Sequence, residues 1–96
     1  MQDEAFEWDD DKAAQNWRDH AVTFEMARDV FRDAFAIDWF DEEHSEDEER
    51  YGIIGMVEGR FLFVAYTMRD ERIRIISARK AEPHERRRYH DENRET

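Results

Sequence analysis

Apolar residues recur at helical spacing early in the chain and alternate with polar ones later, which predicts helices first and strands after. Phe6, Glu7 and Trp8 form a short apolar–polar–apolar segment that fits an edge strand. Asp9 to Asp11 are N-cap residues that suit the positive end of a helix. That helix is predicted over about residues 10–19, with Ala13, Ala14 and Trp17 as a narrow apolar stripe. His20, Ala21 and Val22 make a tight joint. Thr23 then caps a second helix in which Phe24, Ala27, Phe31 and Ala34 recur at helical spacing, with Val30 beside them. Residues 35–40 alternate and predict a strand, and residues 41–50 form an acidic loop. Residues 51–57 predict a strand whose two glycines mark bulges or a close neighbour. Glu58 and Gly59 make a hairpin turn. Residues 61–68 are almost continuously apolar, as in a central strand covered on both faces. Asp70 and Glu71 mark the next turn. In residues 72–77, Arg72 and Arg74 share one face and Ile73 and Ile75 the other. Pro83 suits the first turn of a last helix over about residues 82–93. Tyr89 is nearly its only apolar residue, which predicts weak docking and high mobility. The expected fold is α+β: a single compact domain with a mostly antiparallel sheet, two N-terminal helices and one C-terminal helix. Residues 1–5 are expected to be a flexible tail.

Composition narrows the function classes. Ninety-six residues make one domain, and 13 aromatics supply buried area that a disordered acidic chain lacks. With no cysteine, a disulfide framework and a Cys-based zinc site are excluded. No apolar run approaches a membrane span of about 20 residues. The expectation is a soluble, cytoplasmic protein without membrane contact. The net charge is −11, and residues 1–50 carry 5 Arg/Lys against 18 Asp/Glu. Residues 69–88 reverse this, with 8 Arg/Lys against 4 Asp/Glu. A basic segment in an acidic chain predicts contact with an anion such as a phosphate or an acidic protein surface. Broad nonspecific nucleic-acid binding is disfavoured, because it needs many phosphate contacts.

Three collinear groups of residues resemble the BrnT family. The first is Phe6, Glu7, Trp8 and Asp9 with Lys12, Asn16 and the run from His20 to Glu25. The second is Asp41, His44 and residues 48–51. The third is Tyr66, Thr67, Arg69, residues 74–80, Glu85, Arg86 and Tyr89. Together they cover about residues 6–90. Ala21 departs from the family, which usually has glycine there, and alanine disfavours a left-handed backbone at this joint. The resemblance implies a toxin of a bacterial type II toxin–antitoxin system. The fold would be similar to RelE-type ribonucleases, and RNA would be cleaved without a metal or cofactor. It also implies a cognate antitoxin, BrnA, with a ribbon-helix-helix DNA-binding part. The complex, dimeric in the antitoxin, would be a heterotetramer that reaches DNA only through the antitoxin.

Metal-free RNA cleavage needs a base for the 2′-hydroxyl, cations for the growing phosphate charge and an acid for the leaving 5′-oxygen. Arg79 and Lys80, at a strand end, are candidates for phosphate stabilisation; an ordinary solvated strand end is the alternative. His44 is a candidate acid or phosphate ligand. Glu49 is a candidate base and Arg50 a phosphate clamp, or the two form a structural ion pair. Arg69, Arg72 and Arg74 are candidate RNA contacts. Tyr89 either stacks on a base or anchors the last helix. The guanidinium groups of Arg69, Arg72, Arg74 and Arg79 are expected to converge on one pocket. Lys12, Asn16 and His20 share one helix face, with a structural role expected. A site formed by His20 and His44 lacks ligand spacing, so no metal is expected. The alternative function is a non-catalytic binding module or corepressor partner of a DNA-binding protein.

Overall fold

The computed structural model describes residues 1–94 and has a five-stranded sheet covered by helices on both faces. The elements are β1 (Phe6–Glu7), α1 (Asp10–His20), α2 (Phe24–Val30), β2 (Ile37–Phe40), β3 (Tyr51–Val57), β4 (Arg60–Arg69), β5 (Arg72–Lys80) and α3 (Pro83–Asn93). A short 3₁₀ turn, Glu42–His44, lies between β2 and β3. The strand order is β1-β5-β4-β3-β2. β1 runs parallel to β5, and all other pairs are antiparallel. The α+β class and the mostly antiparallel sheet are therefore as expected. β4 is the central strand, which explains its continuous apolar run.

Alternation along each strand divides the core in two. Leu62, Val64 and Tyr66 of β4, with Ile53 and Val57 of β3, face α1 and α2 and pack on Val22, Phe24, Ala27 and Val30. Phe61 and Phe63 of β4, with Ile54 of β3 and Ile37 and Trp39 of β2, face α3 and pack near Ala81 and Tyr89. Burying each of the larger side chains contributes about 1.5–3 kcal/mol. The β3 glycines lie under close neighbours. A Cβ at Gly52 would stand 2.8 Å from Phe63 and 2.9 Å from Trp39, and one at Gly55 would stand 2.8 Å from Val30.

Helix α1 is capped by Asp9, whose carboxylate accepts from the Asp11 and Lys12 amides. Its buried residue is Asn16, and Trp17 is 54% exposed, so of the apolar stripe only Ala13 packs on the core. Asn16 Nδ2 donates to the carbonyls of Val22 and Ala78, both at 2.9 Å, and its Oδ1 accepts from the Ala78 amide at 3.0 Å. β1 pairs β5 only at Ile73 and Arg74, and Asn16 serves the edge of β5 farther along. The joint after α1 is left-handed at Ala21, with φ 54°, despite the missing glycine.

Helix α2 stops at Val30, short of its periodic stripe, and β2 starts at Ile37 rather than residue 35. Asp33 causes the break. Its carboxylate accepts from the amides of Phe35 (2.9 Å) and Met56 (2.8 Å), which turns the chain onto the sheet edge. Residues 1–5 fold back onto the domain instead of trailing. The Met1 nitrogen donates to the Trp8 carbonyl at 2.9 Å, and the Asp3 carboxylate accepts from the Ala5 and Phe6 amides.

Candidate functional site

One irregularity decides which side chains face α3. In β5, Ser77 pairs with Ala65 and Ile75 pairs with Tyr66, so Ile76 is an extra residue without a partner. Such a bulge reverses the alternation beyond it. Arg72 and Arg74, opposite Arg69 and Thr67, thus share a sheet face with Arg79, opposite Phe63. In a regular strand Arg79 would point to the α1–α2 side. Adjacent Lys80 pairs with Leu62 and belongs to that other side, where it is exposed.

The guanidinium groups share a face but do not converge on one pocket, contrary to expectation. At roughly 3.3 Å per residue, Arg72 and Arg79 stand about 20 Å apart along β5, and Arg74 and Arg79 about 15 Å. Each is also engaged within the chain. Arg69 Nη2 lies 3.5 Å from Glu48, and Arg72 Nε donates to the Asp3 carbonyl at 2.7 Å. Arg74 Nη1 donates to Glu7 at 2.7 Å, where Glu7 is 8% exposed. Arg79 makes a two-pronged pair with Glu85, at 2.8 and 3.0 Å, and stacks 4.4 Å over the Phe63 ring.

The Glu85 carboxylate also accepts from the Glu82 amide at 2.8 Å. Burial pushes its pKa up, but the Arg79 fork and this amide outweigh burial and hold it below the ordinary carboxylate value. Glu85 in turn keeps the Arg79 guanidinium charged. Glu82, His84 and Glu85 bring ligand-type atoms within 4.8 Å of one another, yet both Glu85 oxygens already face Arg79.

The other predicted site residues lie elsewhere. His44 Nδ1 is 2.8 Å from Asp41, and the histidine is exposed. His44 and Arg50 line a depression of about 390 Å³ whose other walls are Glu43, Glu46, Asp47 and Glu48. Four carboxylates around one guanidinium disfavour a phosphate there. Glu49 is exposed, and its carbonyl accepts from Thr67 Oγ1 at 2.6 Å, pinning the acidic loop to β4. Tyr89 is buried, and its hydroxyl donates to Asp33 at 2.8 Å. Burial, with the Asp33 carboxylate, pushes its pKa up to about 12. The ring packs edge-on against Phe61, so Tyr89 anchors α3 and is not offered to a base. Lys12 and His20 are exposed around a small depression beside Asn16 and Ser77.

Sequence reasoning missed five participants. Glu7 and Glu85 are the carboxylates that hold the two arginines. Trp39 and Phe63 meet over Gly52 with ring centroids 5.7 Å apart. Arg88 of α3 lies 4.4 Å over Trp39, matching Arg79 over Phe63. The polar middle of Phe6, Glu7 and Trp8 could have indicated Glu7; nothing in the spacing indicated the bulge.

Chemically, this face offers planar donors suited to phosphate oxygens. A search among curated proteins found no match. A protein-family profile, described as the ribonuclease toxin BrnT of a type II toxin–antitoxin system, matches residues 8–85. That stretch spans most of the sheet, both arginine–carboxylate pairs except Glu7, and the start of α3, and it establishes that the chain belongs to the BrnT family of ribonuclease toxins.

Proposed function

We propose that this chain is an endoribonuclease that cleaves RNA without a metal ion, inhibits translation and growth in the cytoplasm, and is held inert by a cognate antitoxin. The observation that carries this is the row of Arg72, Arg74 and Arg79 on one sheet face, two of them beside buried carboxylates. In such a reaction the 2′-oxygen attacks phosphorus as a base takes its proton. The 5′-oxygen leaves with a proton from an acid, and guanidinium groups hold the equatorial charge. Arg79 is the proposed ligand of the phosphate at the cut, and Arg74 and Arg72 hold neighbouring nucleotides. His44, Glu49, Arg50, Lys80 and Arg69 belong to the wider proposed set. Of these, Arg69 shares the arginine face at its hairpin end. The proposed partner is a BrnA-like antitoxin with a ribbon-helix-helix part, forming a heterotetramer through the antitoxin dimer.

A second function has its own support. The internal pairing of Arg69, Arg74 and Arg79 suits a non-catalytic binding module that works through its acidic surface as a corepressor. Incubating purified RNA in EDTA with wild type, Arg74→Ala and Arg79→Ala separates the two. Circular dichroism verifies that each is folded. We expect cleavage by wild type and a loss of about 100-fold in Arg79→Ala, the scale of removing one charge-stabilising donor. Equal cleavage by wild type and Arg79→Ala would remove Arg79 from the mechanism. No cleavage by any of them would favour the binding module.

A further inference from the structure

At the β3–β4 hairpin end of the sheet, α2's exit, the hairpin and α3 enclose an open groove of about 540 Å³ that none of the β5 arginines lines. Phe35 and Met56 line it, 62% and 41% exposed, with Val57 and Tyr89 behind them. The other exposed large apolar residues, Trp17, Phe40 and Met68, line none of the three depressions described. Single exposed apolar residues are ordinary, but two sharing one concavity mark an interaction surface.

The groove is held open by its own backbone bonding. Asp33 ties the Met56 amide to the chain before Phe35, and Asn93 Nδ2 donates to the Phe35 carbonyl at 2.8 Å. Phe35 is therefore fixed at the rim rather than free to fold into the core. The rim charges are Asp29, Asp33 and Glu58 against Arg32, and Arg32 lies 3.7 Å from Asp29. This excess of acid, in a chain of net charge −11, selects a basic occupant.

We propose that this groove is where the antitoxin docks, through a segment with a large apolar side chain flanked by Lys or Arg. The proposal rests on the chain having an antitoxin partner, and it adds a place and a chemistry to that partner. The apolar side chain fills the space between Phe35 and Met56, and the flanking cations meet Glu58 and Asp29. Docking here leaves the β5 arginines uncovered by this segment, so another part of the antitoxin must reach them to block RNA.

The probe is the product of the reading frame adjacent to this chain's own, titrated calorimetrically into full-length wild type, Phe35→Ser, Met56→Ser and Phe40→Ser. All three side chains are exposed, so the variants should fold, which a thermal melt verifies. Phe35→Ser and Met56→Ser should each weaken binding at least about tenfold, as interface anchors do. Phe40→Ser should bind like wild type. Wild-type affinity in Phe35→Ser, or equal weakening by all three, would overturn the groove assignment. Failure of wild type to bind would overturn the antitoxin partnership and the groove together. RNA cleavage by the same variants is scored separately, so loss of the nuclease function is distinguishable from loss of the docking site.

Discussion

Ala21 shows how a single side chain can sit against its backbone preference. It closes α1 in the left-handed region, at φ 54° and ψ 36°, where its amide still caps the Trp17 carbonyl. An L-residue with a Cβ is disfavoured there by about 1–2 kcal/mol, and glycine is not. Ala21→Gly should therefore raise stability by about 1 kcal/mol, equivalent to roughly 4–8 °C in Tm for a domain this size. A melting temperature unchanged or lowered would show that the joint relaxes in solution. Asn16 was legible only as a helix-face residue with a structural role at the sheet end or the helix joint; its three buried hydrogen bonds are a tertiary fact that spacing cannot carry. Trp17, expected on the buried stripe, is exposed instead, while Tyr89 takes the anchoring role that was one of its two expected ones. Polar bonds, from Asn16 in one case and Asp33 in the other, decide which side chain turns inward.

At the scale of elements, periodicity located every helix and the main strands, because each core face repeats along the chain. It overran α2 because Phe31 and Ala34 keep helical spacing after the helix has ended at Val30. It undervalued α3 because docking there is polar. Glu85 on Arg79, Tyr89 on Asp33, Asn93 on the Phe35 carbonyl and Arg88 on Trp39 together hold a helix with few apolar contacts. This makes α3 sensitive to acid. Burial pushes the Asp33 and Glu85 carboxyls up, but hydrogen bonds outweigh it, and both lie below their ordinary values of 3.8 and 4.5. A carboxylate whose folded pKa is depressed adds stability above its unfolded pKa and loses it as pH falls through the folded one. The α3 contacts should be intact above about pH 5 and weaken below about pH 4. Amide exchange in residues 85–93 should accelerate across that range more than exchange in β4. Parallel acceleration in both would indicate global unfolding instead.

For the molecule as a whole, charge is divided along the chain, with residues 1–50 strongly acidic and the later half slightly basic. RNA should therefore be held by few contacts. If Arg72, Arg74 and Arg79 are the phosphate ligands, the logarithm of RNA affinity should fall with the logarithm of salt at a slope of about −2, from roughly 0.7 per phosphate on a single strand. A slope beyond about −4 would implicate a wider basic surface. The family was legible in three short motifs; the site was not, because a strand's facing depends on register, and register is set by pairing partners. Ile76 carries a corresponding vulnerability. Were Ile76 drawn into the ladder with no residue lost, strict alternation would send Arg79 through to the opposite side of the sheet, beneath α1, leaving Glu85 without a counter-ion. Arg79 keeps its place only while one residue of β5 stays out of the pairing.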